Sequence, residues 1–213
     1  KNTKMLKTST ISLENFFENA RKKASLTEDR KKLLSKIATA IAKEYTENKI
    51  VNLNFICTHN SRRSQLGQIW SFFAASYFKL NINAFSGGTE VTAFYKNTVK
   101  TLQKVGFKFQ LTDFSHQNPT YTISFDGTKN TILGFSKLYS NTINTEPYMA
   151  ITTCNNADTN CPFIPTASHR FHLPFIDPKH SDGTTEQEET YLQTSIQIAG
   201  EVYFIFSEVK KLI

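Results

Sequence analysis

The sequence predicts an α/β fold built on a mostly parallel sheet, and three observations lead there. A short apolar run at 51–56 stops at Cys57. A tight polar loop follows it, and then Leu66, Ile69, Trp70 and Phe73 recur at helical spacing, so the unit reads as strand, loop, helix. Other short apolar or alternating runs, near 83–89, 107–111 and 148–153, are set apart by helix-length segments. The length, 213 residues, is enough for one sizeable core.

Taken in order, residues 1–10 are polar and expected to fray. A helix is expected over 11–24, with Leu13, Phe16, Phe17 and Ala20 on one side. Ser25 to Glu28 has capping-box spacing, and a second helix should run to about Glu47 and bury Leu33, Leu34, Ile37, Ile41 and Tyr45. The helix after the polar loop should span 64–78. A short strand near 83–89 ends in Gly87-Gly88, and a helix is expected over 90–105, stopped by Gly106. Residues 107–111 alternate as a strand does. Within the irregular 114–145 stretch, 121–125 and 131–135 suggest a hairpin around Asp126-Gly127. Residues 148–153 read as a buried strand and 169–178 as a loop. From Glu186 onward the pattern is a long amphipathic helix.

Chemistry concentrates in Cys57, Thr58, His59, Asn60, Ser61, Arg62, Arg63 and Ser64. A turn between strand and helix points successive backbone N–H groups into one concavity, and the helix N-terminus adds partial positive charge. An oxyanion fits there, with Arg63 clamping two of its oxygens. The same field favours a thiolate at Cys57. Ser64 or Ser61 can donate a hydrogen bond to the sulfur. Asn60 tolerates the left-handed backbone a tight loop needs. A buried structural thiol beside solvated arginines is the plainer alternative.

Composition narrows the setting. The net charge is +7 but spread out; no nucleic-acid motif accompanies it, and a basic balance alone is weak grounds for such a partner. No apolar run approaches membrane-spanning length, and the opening residues lack a signal-peptide pattern. The three cysteines, Cys57, Cys154 and Cys161, do not suit a secreted disulfide scaffold. They suit a reduced, cytoplasmic compartment. His169 and His172 alone are too few ligands for zinc, so neither metal nor cofactor is expected.

The spacing Cys57-x5-Arg63-Ser64, with Asn60-Ser61 inside it, resembles the signature of the low-molecular-weight class of cysteine-dependent phosphatases. The thioredoxin-coupled arsenate reductases share that fold. Ser86-Gly87-Gly88 is similar to the family segment behind the anion loop, and Asp177-Pro178 matches its general-acid pair. Cys154 at a strand end, followed by six residues, Cys161 and Pro162, resembles the reductases in particular.

The resemblance implies a three-layer α/β/α domain with a central four-stranded sheet over 51–213. Residues 1–50 would then be an added helical extension and 114–145 an insertion. It implies arsenate reduction, with Cys57 as nucleophile, Asp177 as acid, and Cys154 and Cys161 relaying a disulfide to a thioredoxin-like partner. The oxyanion would lie on Thr58, His59, Asn60, Ser61, Arg62 and Arg63. Phosphomonoester hydrolysis at the same site is the alternative, and the chain would act as a monomer or homodimer. Three departures stand out. Arg62 replaces the usual cysteine, and His59 replaces a small residue. Lys179-His180-Ser181 follows Asp177-Pro178 where phosphotyrosine enzymes carry aromatics.

Overall fold

The computed structural model describes residues 12–161 and 163–213; the segment 1–10, expected to fray, lies outside the described residues. Helix α1 (Leu13–Lys23) starts at Ser12, whose hydroxyl accepts the Asn15 N–H. Helix α2 (Glu28–Asn48) starts at Thr27, which accepts the Arg30 N–H. Caps of this kind contribute about 1 kcal/mol each. The capping box expected from Ser25 is not used: the Gln197 side chain brackets the Ser25 backbone, accepting from its N–H and donating to its carbonyl.

The rest follows as β1 (Val51–Cys57), α3 (Arg63–Phe78), β2 (Ile82–Gly88), α4 (Lys96–Val105), β3 (Lys108–Asp113), β4 (Thr120–Ser124), β5 (Ile132–Gly134), β6 (Tyr148–Thr152), α5 (Asn155–Asn160), β7 (Ala167–His172), a 3-10 turn (Pro178–Ser181) and α6 (Gln187–Leu212). The main sheet has four strands in the order β2-β1-β6-β7, all parallel. The hairpin β4–β5 joins β3 in a second, antiparallel sheet of three strands.

Alternation along the central strands separates two cores. Val51, Leu53, Phe55, Met149 and Ile151 face one way, into a cluster with α1, α2, α3 and α6 residues such as Phe17, Ile37, Trp70 and Val202. Ile56, Tyr148 and Ala150 face the other way and bury all three cysteines together with Ala157 and Ile164. The chain is thus a three-layer α/β/α structure, with a heavy helical layer on one face and a thin one containing α5 on the other.

Two expected elements are corrected. The helix expected from 90 begins only at Lys96, because the intervening backbone serves the polar loop: Glu90 N–H donates to Thr58 O and Tyr95 N–H to Ser61 O. The loop expected over 169–178 is strand at its start. Residues 169–172 belong to β7 and pair with β6 from Met149 to Thr152.

Candidate active site

Parallel strands deliver their C-terminal ends to one sheet edge. Here β1 ends at Cys57, and the neighbouring β6 ends two residues before Cys154. Thr153 N–H donates to Ile56 O at 2.7 Å, which holds the two strand ends together. Both cysteines line a cavity of about 460 Å³, together with Thr58, His59, Ser61, Arg62, Arg63, Glu90, Asn155, Asn156, Asp177 and Lys179. A similarly sized cavity between α1, α4 and α6 holds the Lys104–Glu188 pair with Phe16, Val105 and Leu192, and no thiol.

The loop after Cys57 is held from outside through its carbonyls. Cys57 O accepts from Thr89 N–H, Thr58 O from Glu90 N–H, and Ser61 O from Tyr95 N–H. His59 O accepts from the Ser136 and Thr92 hydroxyls, and Asn60 O from the Gln65 amide. With these carbonyls engaged by neighbouring groups, they do not compete with an anion for the loop's backbone N–H groups, as an anion nest requires. Asn60 adopts the left-handed conformation, φ 49°. Its own N–H donates to Cys57 Sγ at 3.1 Å.

Asn60 also orders the neighbour of the Cys57 sulfur. Its side-chain amide donates to Ser64 Oγ at 2.8 Å, while its carbonyl oxygen accepts from Lys137 N–H at 3.0 Å. Ser64 Oγ lies 2.9 Å from Cys57 Sγ, so its hydroxyl hydrogen is free for the sulfur. Ser61, the other expected donor to the sulfur, instead donates to Ala93 O at 2.6 Å. The glycines of β2 make room for this packing. A Cβ on Gly88 would sit 2.7 Å from Thr58 O and 2.9 Å from Asn60 N, and one on Gly87 would sit 2.2 Å from the Tyr139 Cα.

The two arginines behave differently. Arg63 donates to Asp177 Oδ2 at 2.9 Å and to Phe175 O at 2.8 Å, which brings the expected acid to the expected clamp. Arg62 also lines the cavity, but most of its guanidinium is engaged elsewhere. Its Nε donates to the Tyr191 hydroxyl at 2.7 Å and its Nη2 to Asp182 Oδ2 at 3.0 Å, and it lies 4.1 Å over the Tyr95 ring. Burial works against the Arg62 charge, but Tyr191, Asp177 and Asp182 outweigh it and raise the pKa. His59, at the mouth, pairs with Glu90 at 3.4 Å.

Cys154 and Cys161 bracket α5. Cys154 Sγ accepts the Ala157 N–H at 3.4 Å as its N-cap, and lies 3.5 Å from Thr58 Oγ1. Cys161 closes the other end, buried and unoxidised like the other two. Burial pushes its thiol up, while Tyr139 and Arg170 pull the other way and Cys154 adds to the rise. Arg170 holds the helix from outside, donating to Asp158 O and Cys161 O and pairing with the Asp158 carboxylate. Sequence reasoning missed Arg170, Tyr139, Lys137, Asp182 and Tyr191; Lys137, Asp182 and Tyr191 meet the loop across 77 to 129 residues, and Arg170 reaches α5 from the edge strand that follows it. Among the described residues no cluster of His, Cys, Asp or Glu is arranged to hold a metal.

No family model matches the chain. An arsenate reductase of Brevibacillus brevis is 30% identical over 132 residues, covering 62% of this chain and 79% of the relative. One from Bacillus subtilis is 29% identical over 147 residues, 69% of this chain and 86% of the relative. Among solved structures, a low molecular weight protein tyrosine phosphatase from T. tengcongensis superposes with a TM-score of 0.50 at 14% identity, over 74% of this chain and 98% of that one.

Proposed function

We propose that this chain, which belongs to the arsenate reductase family of the low-molecular-weight phosphatase superfamily, reduces arsenate to arsenite through a cysteine relay. The observation that carries the reading is the single buried cluster holding Cys57, Cys154 and Cys161 beside the cavity that Arg63 and Asp177 also line.

In this mechanism arsenate sits on backbone N–H groups of the loop after Cys57 and on the Arg63 fork. Cys57 Sγ attacks arsenic, and one oxygen leaves as water with a proton from Asp177. Cys154 then attacks Cys57 Sγ. The sulfur–arsenic bond breaks with its electron pair staying on arsenic, which passes from As(V) to As(III) and departs as arsenite. A Cys57–Cys154 disulfide remains. Cys161 attacks Cys154, frees the Cys57 thiolate and leaves a Cys154–Cys161 disulfide. A thioredoxin-like dithiol resets it by exchange.

The last transfer demands motion. Seven helical steps at about 1.5 Å each put the Cα atoms of Cys154 and Cys161 about 10 Å apart, beyond the ~7 Å limit of a disulfide. Helix α5 must therefore come apart, which also brings Cys161 out of the surroundings that keep it a thiol.

Phosphomonoester hydrolysis remains the second reading, because the cavity, Arg63 and Asp177 would serve it equally. Paired turnover assays separate the two. One follows arsenate reduction with a thioredoxin system and the other follows phosphate release from an aryl ester. Cys161→Ser is expected to stop sustained reduction and to spare ester hydrolysis. Sustained reduction by that variant would remove Cys161 from the relay. Among the described residues no helix is long and apolar enough to cross a membrane. A reducing compartment, such as the cytoplasm, suits three free thiols.

A further inference from the structure

Asp177 lies on a segment that arginines grip at three points. Arg63 holds Asp177 and the Phe175 carbonyl. Arg62 holds Asp182, at the far end of the 3-10 turn, and Tyr191 completes that hold by donating to the other carboxylate oxygen at 2.7 Å. From α2, Arg30 donates to Pro174 O at 2.8 Å and lies 5.0 Å over the Phe175 ring. Arg30 is itself fixed by both oxygens of the buried Glu201, Nε donating to Oε1 and Nη2 to Oε2.

These three holds differ in what substrate does to them. The Arg63 fork must serve an incoming oxyanion, so its grip on Asp177 is contested when arsenate binds. A segment held by Arg63 alone would loosen at the moment its acid is needed. Arg62 and Arg30 are not contested, because their partners lie on the protein side. We infer that Arg62 and Arg30 are positioning residues that keep Asp177 aimed at the departing oxygen after arsenate has taken Arg63. The inference rests on the reading of Asp177 as the acid. It gives one residue of the N-terminal extension, Arg30, a part in the reaction.

The test uses the full reduced chain with Arg62→Met, the milder Asp182→Asn, and the paired Arg30→Met/Glu201→Met, which leaves no buried charge unpartnered. Two readouts are needed. Amide exchange at Phe175, Lys179 and Asp182 is expected to speed up, with β1 unchanged, because those N–H groups bond within or beside the held segment. For arsenate reduction, kcat is expected to fall about tenfold with little change in KM. In an Asp177→Asn background the same changes should cost nothing further, since their effect passes through that one carboxyl. Unchanged exchange, a loss confined to KM, or losses that multiply with Asp177→Asn would each overturn the inference. A wild-type chain that leaves arsenate unreduced would instead sink the proposed activity, and the exchange data would still decide whether the segment is held in this way.

Discussion

The anion loop and helix α5 border the same cavity and are secured in opposite ways. The loop 57–64 has its carbonyls tied from outside, its Asn60 and Ser64 fully buried, and its sulfur in contact with two donors. Helix α5 is six residues long, is capped by a thiol, and is secured mainly by Arg170 and Asp158. A helix of that length has no stability of its own and depends on such ties. The contrast suits the chemistry. In the proposed relay, attack on arsenate gains from fixed geometry, whereas passing the disulfide outward needs an element that opens at small cost.

The largest effect should come from the fixed half. Cys57→Ser is expected to lower both arsenate reduction and ester hydrolysis by at least ~10³-fold, measured as steady-state turnover. Residual reduction near the wild-type rate would mean that another thiol is the nucleophile. Next, Cys161→Ser should leave the fixed half intact and disable the movable one. Rapid mixing with excess arsenate should give a burst of one arsenite per chain followed by arrest; no burst would place Cys161 before the first release.

A third change bears on the backbone that holds Asn60. Lys137 lends its backbone N–H to Asn60, yet its Nζ is buried with no partner among the described residues, 5.0 Å from the centre of the Phe135 ring. Burial lowers its pKa from 10.5 to about 8. Between those values the unfolded chain binds more protons than the folded one, so stability rises with pH there; below about 8 the full cost is carried. At about 1.4 kcal/mol per pKa unit the cost at pH 7 is about 3.5 kcal/mol. Lys137→Met should therefore stabilise the chain at pH 7 in urea unfolding, with the gain shrinking as pH climbs toward 10.5. A gain independent of pH would contradict this. The smallest effect is expected from Arg170→Met. Loosening α5 should raise the reaction rate of Cys161 with a thiol reagent about fivefold and leave Cys57 unchanged. Equal acceleration at both would show that the two regions open together.

Much of the fixed half was legible because its parts are neighbours in sequence. Strand β1, the loop and α3 occupy one short stretch, and the spacing of Cys57, Asn60, Arg63 and Ser64 carries their geometry. The pairing of Arg62 with Asp182 and Tyr191 was not legible, since those partners enter through the fold from more than a hundred residues away. Strand β7 was missed because Ser168-His169-Arg170 is polar; it serves as an edge strand, and its backbone bonds to β6 replace any apolar signal. The stretch 90–95 was overread as helix because its N–H groups are claimed by loop carbonyls, a tertiary demand that local propensity does not record.

The relay is tested most directly by mapping disulfides after one turnover. Fully reduced chain is mixed with arsenate without any external reductant, quenched with an alkylating agent, and its cysteine peptides are read by mass spectrometry. The expected outcome is one arsenite per chain, a Cys154–Cys161 disulfide, and an alkylated Cys57. Arsenite released with all three cysteines still alkylated, or no arsenite at all, would contradict the relay.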